Sequence, residues 1–234
     1  MAGFNVKKEL LKNRDREQAK NLSRFFKTGK GQYGEGDIFL GVKVPAQREI
    51  VKKFKDVDLK EIQELLNDEI HECRLTGLLI LVNKYKKADN KKEIFDFYLK
   101  NTKRINNWDL VDLTAPNIVG DFLLDKKKER EILYSLVKSK NLWERRIAIL
   151  STFTFLRNED FKDVLKISEI LLNDKEDLIH KAVGWMLRET GKRDKEVEIA
   201  FLNKYYRNMP RTMLRYSIEK FNPKEKEFFM RKDF

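Results

Sequence analysis

Apolar side chains recur along this chain at the three- and four-residue spacing that lines one face of a helix, and polar breaks cut the pattern into segments. Residues 1 to about 27 read as two helices, with Leu10, Leu11, Leu22, Phe25 and Phe26 at the apolar positions. Thr28–Gly36 is too rich in glycine for a stable helix, and the following Ile38–Val44 reads as extended. Pro45 suits the first turn of a helix running to about Phe54, because its fixed φ matches helix entry and its missing N–H is not needed there. The rest is rhythmic: helices pair as 58–67 with 69–87, 91–103 with 107–124, 128–139 with 142–157, 161–172 with 176–190, and 194–206 with 210–220.

Polar breaks at Asn67, Asn106, Asn141, Asn173 and Asn208 recur at intervals of 39, 35, 32 and 35 residues. A helix pair repeated at that period is the signature of a HEAT-like solenoid, in which each pair buries its apolar face by stacking on its neighbours. The expectation is therefore an all-α, right-handed α-α superhelix of helical-pair repeats. It is expected to form one domain over 1–234, with an N-terminal helical cap and glycine-rich loop at 1–57 and the repeats at 58–234. Phe228-Phe-Met230 would close the last repeat.

Composition supports helices: 41% of residues are hydrophobic, 38% are charged, and only four are proline. The single Cys73 excludes an internal disulfide, and no apolar run approaches the length of a membrane span. A cytoplasmic protein with no membrane partner is expected. A formal charge of +12 changes the picture more, since it points to an anionic partner such as nucleic acid or else to a merely solvated basic surface.

Registering the second helix of each pair by its apolar positions puts Arg74, Asp112, Arg146, Lys181 and Arg215 at equivalent places. Such a column usually lines a concave face, so it predicts a basic stripe for a phosphate backbone. Asp112 is its one acidic member. Either it pairs with a neighbour such as Arg146 or caps local backbone, or it waits for positive charge that arrives or develops on a ligand. Trp108 lies one turn before Asp112 and Trp185 one turn after Lys181, so both can offer a π face to a cation or a sugar; Trp143 reads as core.

The stretches Phe39-Leu-Gly-Val-Lys-Val-Pro45, Asn107-Trp-Asp-Leu-Val-Asp112, Trp143-Glu-Arg-Arg-Ile-Ala-Ile-Leu150 and Ile179-His-Lys-Ala-Val-Gly-Trp-Met-Leu-Arg-Glu189 together resemble the AlkD-type DNA alkylation-repair glycosylases, over roughly residues 5–220. The resemblance implies a monofunctional glycosylase that hydrolyses the N-glycosidic bond of N3- or N7-alkylated purines in duplex DNA, without flipping the base. It implies that Asp112 is the catalytic carboxylate, that Trp108 and Trp185 contact the lesion nucleotide, and that Arg146 grips the backbone. Arg74, Lys181, Arg188 and Arg215 are expected to bind DNA with it. The family also uses an N-terminal aromatic residue, for which Tyr33 is the nearest candidate. No cofactor or metal is implied, and a monomer is expected.

Gly29, Gly31 and Gly34 match G-x-G-x-x-G, yet a dinucleotide site needs a strand before the motif and a helix right after it, and neither is expected here. His71, Cys73 and His180 lack the spacing of a zinc site. The run Lys126-Lys-Lys-Glu-Arg130 reads as a solvated helix start, with long-range contact to DNA as the alternative. Two rival functions share the basic stripe: a nucleic-acid-binding scaffold without catalysis, and a solenoid that recognises an acidic protein.

Overall fold

A computed structural model describes residues 2–231; Met1 and 232–234, which the expected domain also included, lie outside the described residues. Among the described residues the regular elements are all helices, apart from one isolated parallel bridge between Ile38 and Ile70. The helices group into two compact units, one up to Thr114 and the other from Ala115 onward.

The first unit opens with α1 (Ala2–Lys12) and α2 (Arg16–Phe25), the two helices expected at the N-terminus. Asp15 caps α2 by accepting from the N–H groups of Glu17 and Gln18 at 3.0 Å, which satisfies donors the helix leaves unpaired. Turns and an extended stretch then lead to α3 (Val44–Lys53), with Pro45 in its first turn as expected. The stretch is shaped by Glu72, whose buried carboxylate accepts from the backbone N–H groups of Leu40, Gly41 and Val42 at 2.8–3.2 Å. Gly41 has φ +89°, and a Cβ there would stand 2.1 Å from the Asp15 carbonyl oxygen, so the Phe39–Pro45 stretch demands glycine.

Next come α4 (Leu59–Asn67), α5 (His71–Lys87), α6 (Lys91–Lys100) and the short α7 (Trp108–Asp112). Asp58 and Glu61 form a capping box that starts α4. Helix α5 is the centre of this unit. It packs against α1, α3, α4, α6 and α7, so nearly its whole circumference is buried, including Leu75, Leu78, Ile80 and Leu81.

The second unit begins where a helix over 107–124 was expected. Instead of continuing from α7, the chain makes a π-helical turn at Pro116–Gly120 and one further turn, α8 (Asp121–Leu123). Proline has no N–H for the ladder, which is why regular helix gives way here; Thr154 Oγ1 donates to the Pro116 carbonyl at 2.6 Å. The segment expected as helix over 128–139 starts as a 3-10 turn at Lys127–Arg130 before α9 (Glu131–Leu136). Arg130, at the end of that turn, is far from solvated: it is 4% exposed and donates to the Leu123 carbonyl and to Asp160 and Asp163.

Helices α10 (Leu142–Arg157), α11 (Lys162–Ile170), α12 (Asp177–Gly191), α13 (Lys195–Tyr205) and α14 (Arg211–Ser217) follow at the expected places. Asn141, one of the periodic polar breaks, caps α10 by accepting from Trp143 N–H at 3.0 Å. The second helices of successive pairs form a layer in which α10 packs on α12 and α12 on α14, the stacking expected of helical-pair repeats. Gly184 lets α12 approach α14 closely, because a Cβ there would meet the Met213 carbonyl oxygen at 2.5 Å. At the end, α15 (Pro223–Met230) buries Phe229 against Phe221 and Tyr206, while Phe228 stays 52% exposed, so only one ring of the expected closing pair is enclosed.

Candidate active site

In the first unit the site is built on α7. Asn107 begins it, accepting from Trp108 N–H through Oδ1 at 2.8 Å. Leu110 and Val111 are fully buried and Asp109 is 7% exposed, which fixes the inward face of the five-residue helix. Trp108 and Asp112, one turn apart, remain on the opposite side and are half-buried. Asp112 therefore combines a position next to an aromatic face with partial access to solvent. Its charge also reaches the buried Tyr98, whose phenol is pushed up first by burial and further by Asp112, and which hydrogen-bonds Thr114 Oγ1 at 2.8 Å.

Trp108 is held by rings. Phe26 stacks on it at 5.1 Å with planes 15° apart, Phe39 stacks on Phe26 at 5.0 Å, and His71 lies against Phe39 at 4.6 Å. Phe25 meets Trp108 edge-on at 5.8 Å and is 63% exposed, the most open large apolar side chain among the described residues. Tyr33 is half-buried, and its hydroxyl donates to the Phe25 carbonyl at 3.3 Å. Two N-terminal aromatics thus abut Trp108, the buried Phe26 and the exposed Phe25. The signal for the exposed ring was the Phe25-Phe26 doublet at the end of α2, since successive side chains there point about 100° apart and only one of them can enter a given core.

Beneath α7 lies a buried ionic cluster. His71 Nδ1 faces Asp37 at 3.0 Å and Nε2 faces Asp109 at 2.8 Å. Arg74 donates to Asp37 at 2.5 Å and to the carbonyls of Asp68 and Glu69 at 3.0 Å. Burial opposes a charged imidazole, but the hydrogen bonds to Asp109 and Asp37 outweigh it and push His71 up to about 9. Asp37 is likewise enclosed, and its bonds to His71, Arg74 and Asn107 hold it below the usual carboxylate range against the cost of burial. Two cations and two anions offset one another here, so Arg74, 4% exposed, serves the interior.

The second unit presents α12. Trp185 is half-buried and tilts against Phe153 of α10 at 5.8 Å, and Phe153 in turn carries the Arg157 guanidinium at 4.3 Å. Lys181 pairs with Asp177 at 2.7 Å, and Arg188 pairs with Glu219. Arg146 is 5% exposed and donates to the Leu178 carbonyl. Arg215 stands exposed on α14. The column of cations read from the repeat register is therefore displayed unevenly: buried at Arg74 and Arg146, half-buried and paired at Lys181 and exposed at Arg215. Trp143 is 7% exposed and belongs to the core, as expected.

No group of three His, Cys, Asp or Glu among the described residues is placed to hold a metal ion. His71 is committed to two carboxylates, His180 bonds the Asp174 carbonyl at 2.6 Å, and burial pushes the Cys73 thiol up to about 12. No helix among the described residues is long and apolar enough to cross a membrane.

A family profile described as DNA alkylation repair enzyme matches residues 6–221, nearly the whole chain. The chain belongs to this family. A solved structure described as a predicted DNA alkylation repair enzyme from Enterococcus faecalis superposes with a TM-score of 0.73 at 15% identity, covering 90% of this chain and 98% of that one. At that identity the likeness speaks for the fold. No curated protein matches the chain by sequence. Membership in the DNA alkylation repair family gives α7 its interest, for Trp108 and Asp112 are the half-open residues of that helix, and Asp112 is its only carboxylate besides the buried Asp109.

Proposed function

We propose that the chain is a DNA glycosylase that hydrolyses the N-glycosidic bond of N3- or N7-alkylated purines in duplex DNA. The observation that carries this reading is the Trp108–Asp112 pair, one turn apart on the half-open face of α7, in a chain of the DNA alkylation repair family. Alkylation at N3 or N7 makes the base cationic. Its departure then yields a neutral base, and no general acid is required. The barrier lies in the oxocarbenium-like sugar, and a fixed carboxylate lowers it by opposing the charge that develops there. Asp112 takes that role and orients the attacking water; its proton acceptance accompanies bond formation from water oxygen to C1′. Trp108 offers its π face to the cationic nucleotide, and Phe25 extends the aromatic surface.

Nothing in this chemistry requires a deep base pocket, and the reading includes excision with the base left in the duplex. Trp185 is proposed as a second aromatic contact with the lesion, and Arg215, Lys181 and Arg188 as contacts with the phosphate backbone. Arg146, being mostly enclosed, is proposed to hold the Leu178 turn that begins α12 as well as to face DNA. Duplex DNA is the partner, with no cofactor and a monomeric protein.

The test is incubation of the purified protein with a duplex containing N7-methylguanine, comparing wild type with Asp112→Asn. Free methylated base is expected from wild type, and a loss of at least about tenfold in the variant, since each factor of ten in rate is about 1.4 kcal/mol of barrier. Equal rates would remove Asp112 from the mechanism. Duplex binding without base release by wild type would leave a nucleic-acid-binding scaffold.

A further inference from the structure

Helix α7 is too short to fix its own direction. Five residues form little more than one turn, and an isolated turn is unstable in water because nucleation costs more than its hydrogen bonds return. Its geometry is set by what it is tied to, and both residues flanking Trp108 are tied to the same buried cluster. Asn107 Nδ2 donates to Asp37 Oδ2 at 3.0 Å, and Asp109 Oδ2 meets His71 Nε2 at 2.8 Å while its Oδ1 accepts from Leu110 N–H at 2.9 Å. His71 joins the two ties, because its other nitrogen faces Asp37.

The ring partners make the same connection a second way. Phe26, on which Trp108 stacks, lies 5.1 Å from His71, and Phe39 is sandwiched beside them. Moving His71 would release the backbone of α7 at Asp109 and the surface on which the indole of Trp108 rests.

We propose that His71 is a positioning residue for base excision: clamped between Asp37 and Asp109, it fixes the first turn of α7 and so sets where Trp108 and Asp112 stand. The inference rests on the glycosylase reading, in which those two side chains meet the lesion. His71 itself is 2% exposed and touches no substrate.

The clamp depends on charge. Each ring nitrogen faces a carboxylate, and a neutral imidazole carries only one N–H, so both contacts are hydrogen bonds only in the imidazolium. The charged groups that face it are Asp37 from the extended stretch and Asp109 from α7, with Arg74 of its own helix on Asp37 and the uncharged Asn107 completing the shell. Its position, up at about 9, keeps the clamp closed at neutral pH and opens it in alkali.

The experiment measures single-turnover release of N7-methylguanine from a duplex, with affinity for unmodified duplex and the helical content recorded alongside. His71→Gln is expected to lower the release rate at least about tenfold while duplex affinity stays within about twofold, because the backbone contacts proposed on the second unit are untouched. Asp37→Asn removes one of the two anions, so its alkaline limb is expected at lower pH than that of wild type; comparing the two on one substrate cancels the titration of the methylated base. The proposal is overturned if folded His71→Gln releases base at the wild-type rate, or if its loss equals the loss of folded protein. Where His71→Gln does not fold, coincident alkaline limbs for wild type and Asp37→Asn overturn it instead. Failure of wild type to release base at all, with Asp112→Asn equally silent, would count against the glycosylase reading rather than against the clamp.

Discussion

Trp108 lies flat on Phe26, their ring centroids 5.1 Å apart and their planes 15° from parallel, while Phe25, the next residue along, leans edge-on against the same indole. Two neighbours in sequence thus do different work. Phe26 is 6% exposed and part of the core, so Phe26→Ala is expected to cost about 3–5 kcal/mol of stability. Phe25 is 63% exposed, and Phe25→Ala is expected to change stability by less than about 0.5 kcal/mol. It should nevertheless weaken the preference for alkylated over unmodified duplex, since an open aromatic face beside Trp108 is lost. Thermal melting and competitive duplex binding check the pair; equal effects of both variants on melting would refute the division of roles.

Gly41 and Gly36 make a second contrast. Both have positive φ, at +89° and +86°, but a Cβ at Gly41 would strike the Asp15 carbonyl whereas one at Gly36 meets nothing within 4 Å. Gly36→Ala is expected to cost only the left-handed backbone penalty, about 1–2 kcal/mol. Gly41→Ala adds a clash with backbone and distorts the N–H groups that hold Glu72, so a loss of about 3 kcal/mol or more is expected in denaturant titration.

The helices and their rhythm were legible because each second helix carries a long apolar pattern and each break carries a capping or turn residue such as Asn141. Trp108 and Asp112 were legible as an i, i+4 pair on one face. The cluster of Asp37, His71, Arg74 and Asp109 was not. Its members are 34 to 72 residues apart or adjacent on helices whose mutual placement no local pattern encodes, and a lone histidine reads equally well as surface or core. Arg74 was read as part of a basic stripe because register aligns positions along helices; it says nothing of whether a neighbouring loop brings a carboxylate, as the Asp37 segment does. The interruption at Pro116 was visible as a residue, yet the extended helical pattern around it argued for continuity.

Glu198 offers a test of pH dependence. It is 2% exposed, its Oε1 finds no hydrogen-bond partner, and burial pushes its carboxyl up to about 8 despite the nearby Lys195 and Arg188. A folded value above the unfolded one, about 4.5, means the contribution to stability is complete below 4.5 and is lost as pH rises through 8. Glu198→Gln removes that ionisation. It is expected to melt like wild type at pH 5 and to melt higher than wild type at pH 8–9, by several degrees if about 1–2 kcal/mol is recovered. A constant difference between the two proteins across this range would show that Glu198 does not titrate there.

His71 has the same sign for a different reason, since pairing rather than desolvation raises it from 6.5 to about 9. Its contribution is complete below 6.5 and lost as pH climbs through 9. In His71→Gln the alkaline fall in melting temperature over that window is expected to be shallower than in wild type, with the variant less stable at neutral pH by about 3–5 kcal/mol. Parallel melting curves against pH would place the alkaline transition elsewhere.

Arg215 and Arg146 separate DNA binding from folding. Arg215 is exposed on α14, and an exposed guanidinium that meets one phosphate releases about one counterion. Arg215→Ala is therefore expected to leave melting within about 0.5 kcal/mol of wild type and to lower the slope of log affinity against log salt by about one for damaged and undamaged duplex alike. Arg146 is 5% exposed and donates to the half-buried Leu178 carbonyl in the first turn of α12, so truncating it removes that tie and the packing of an enclosed side chain. Arg146→Ala is expected to lower stability by about 1–3 kcal/mol and to weaken duplex binding partly through the altered start of α12, where Lys181 and Trp185 follow. Salt titration of binding beside thermal melting distinguishes the two: if Arg146→Ala shifted only the salt slope and left melting unchanged, its side chain would have to be reassigned from the interior to the DNA-facing surface.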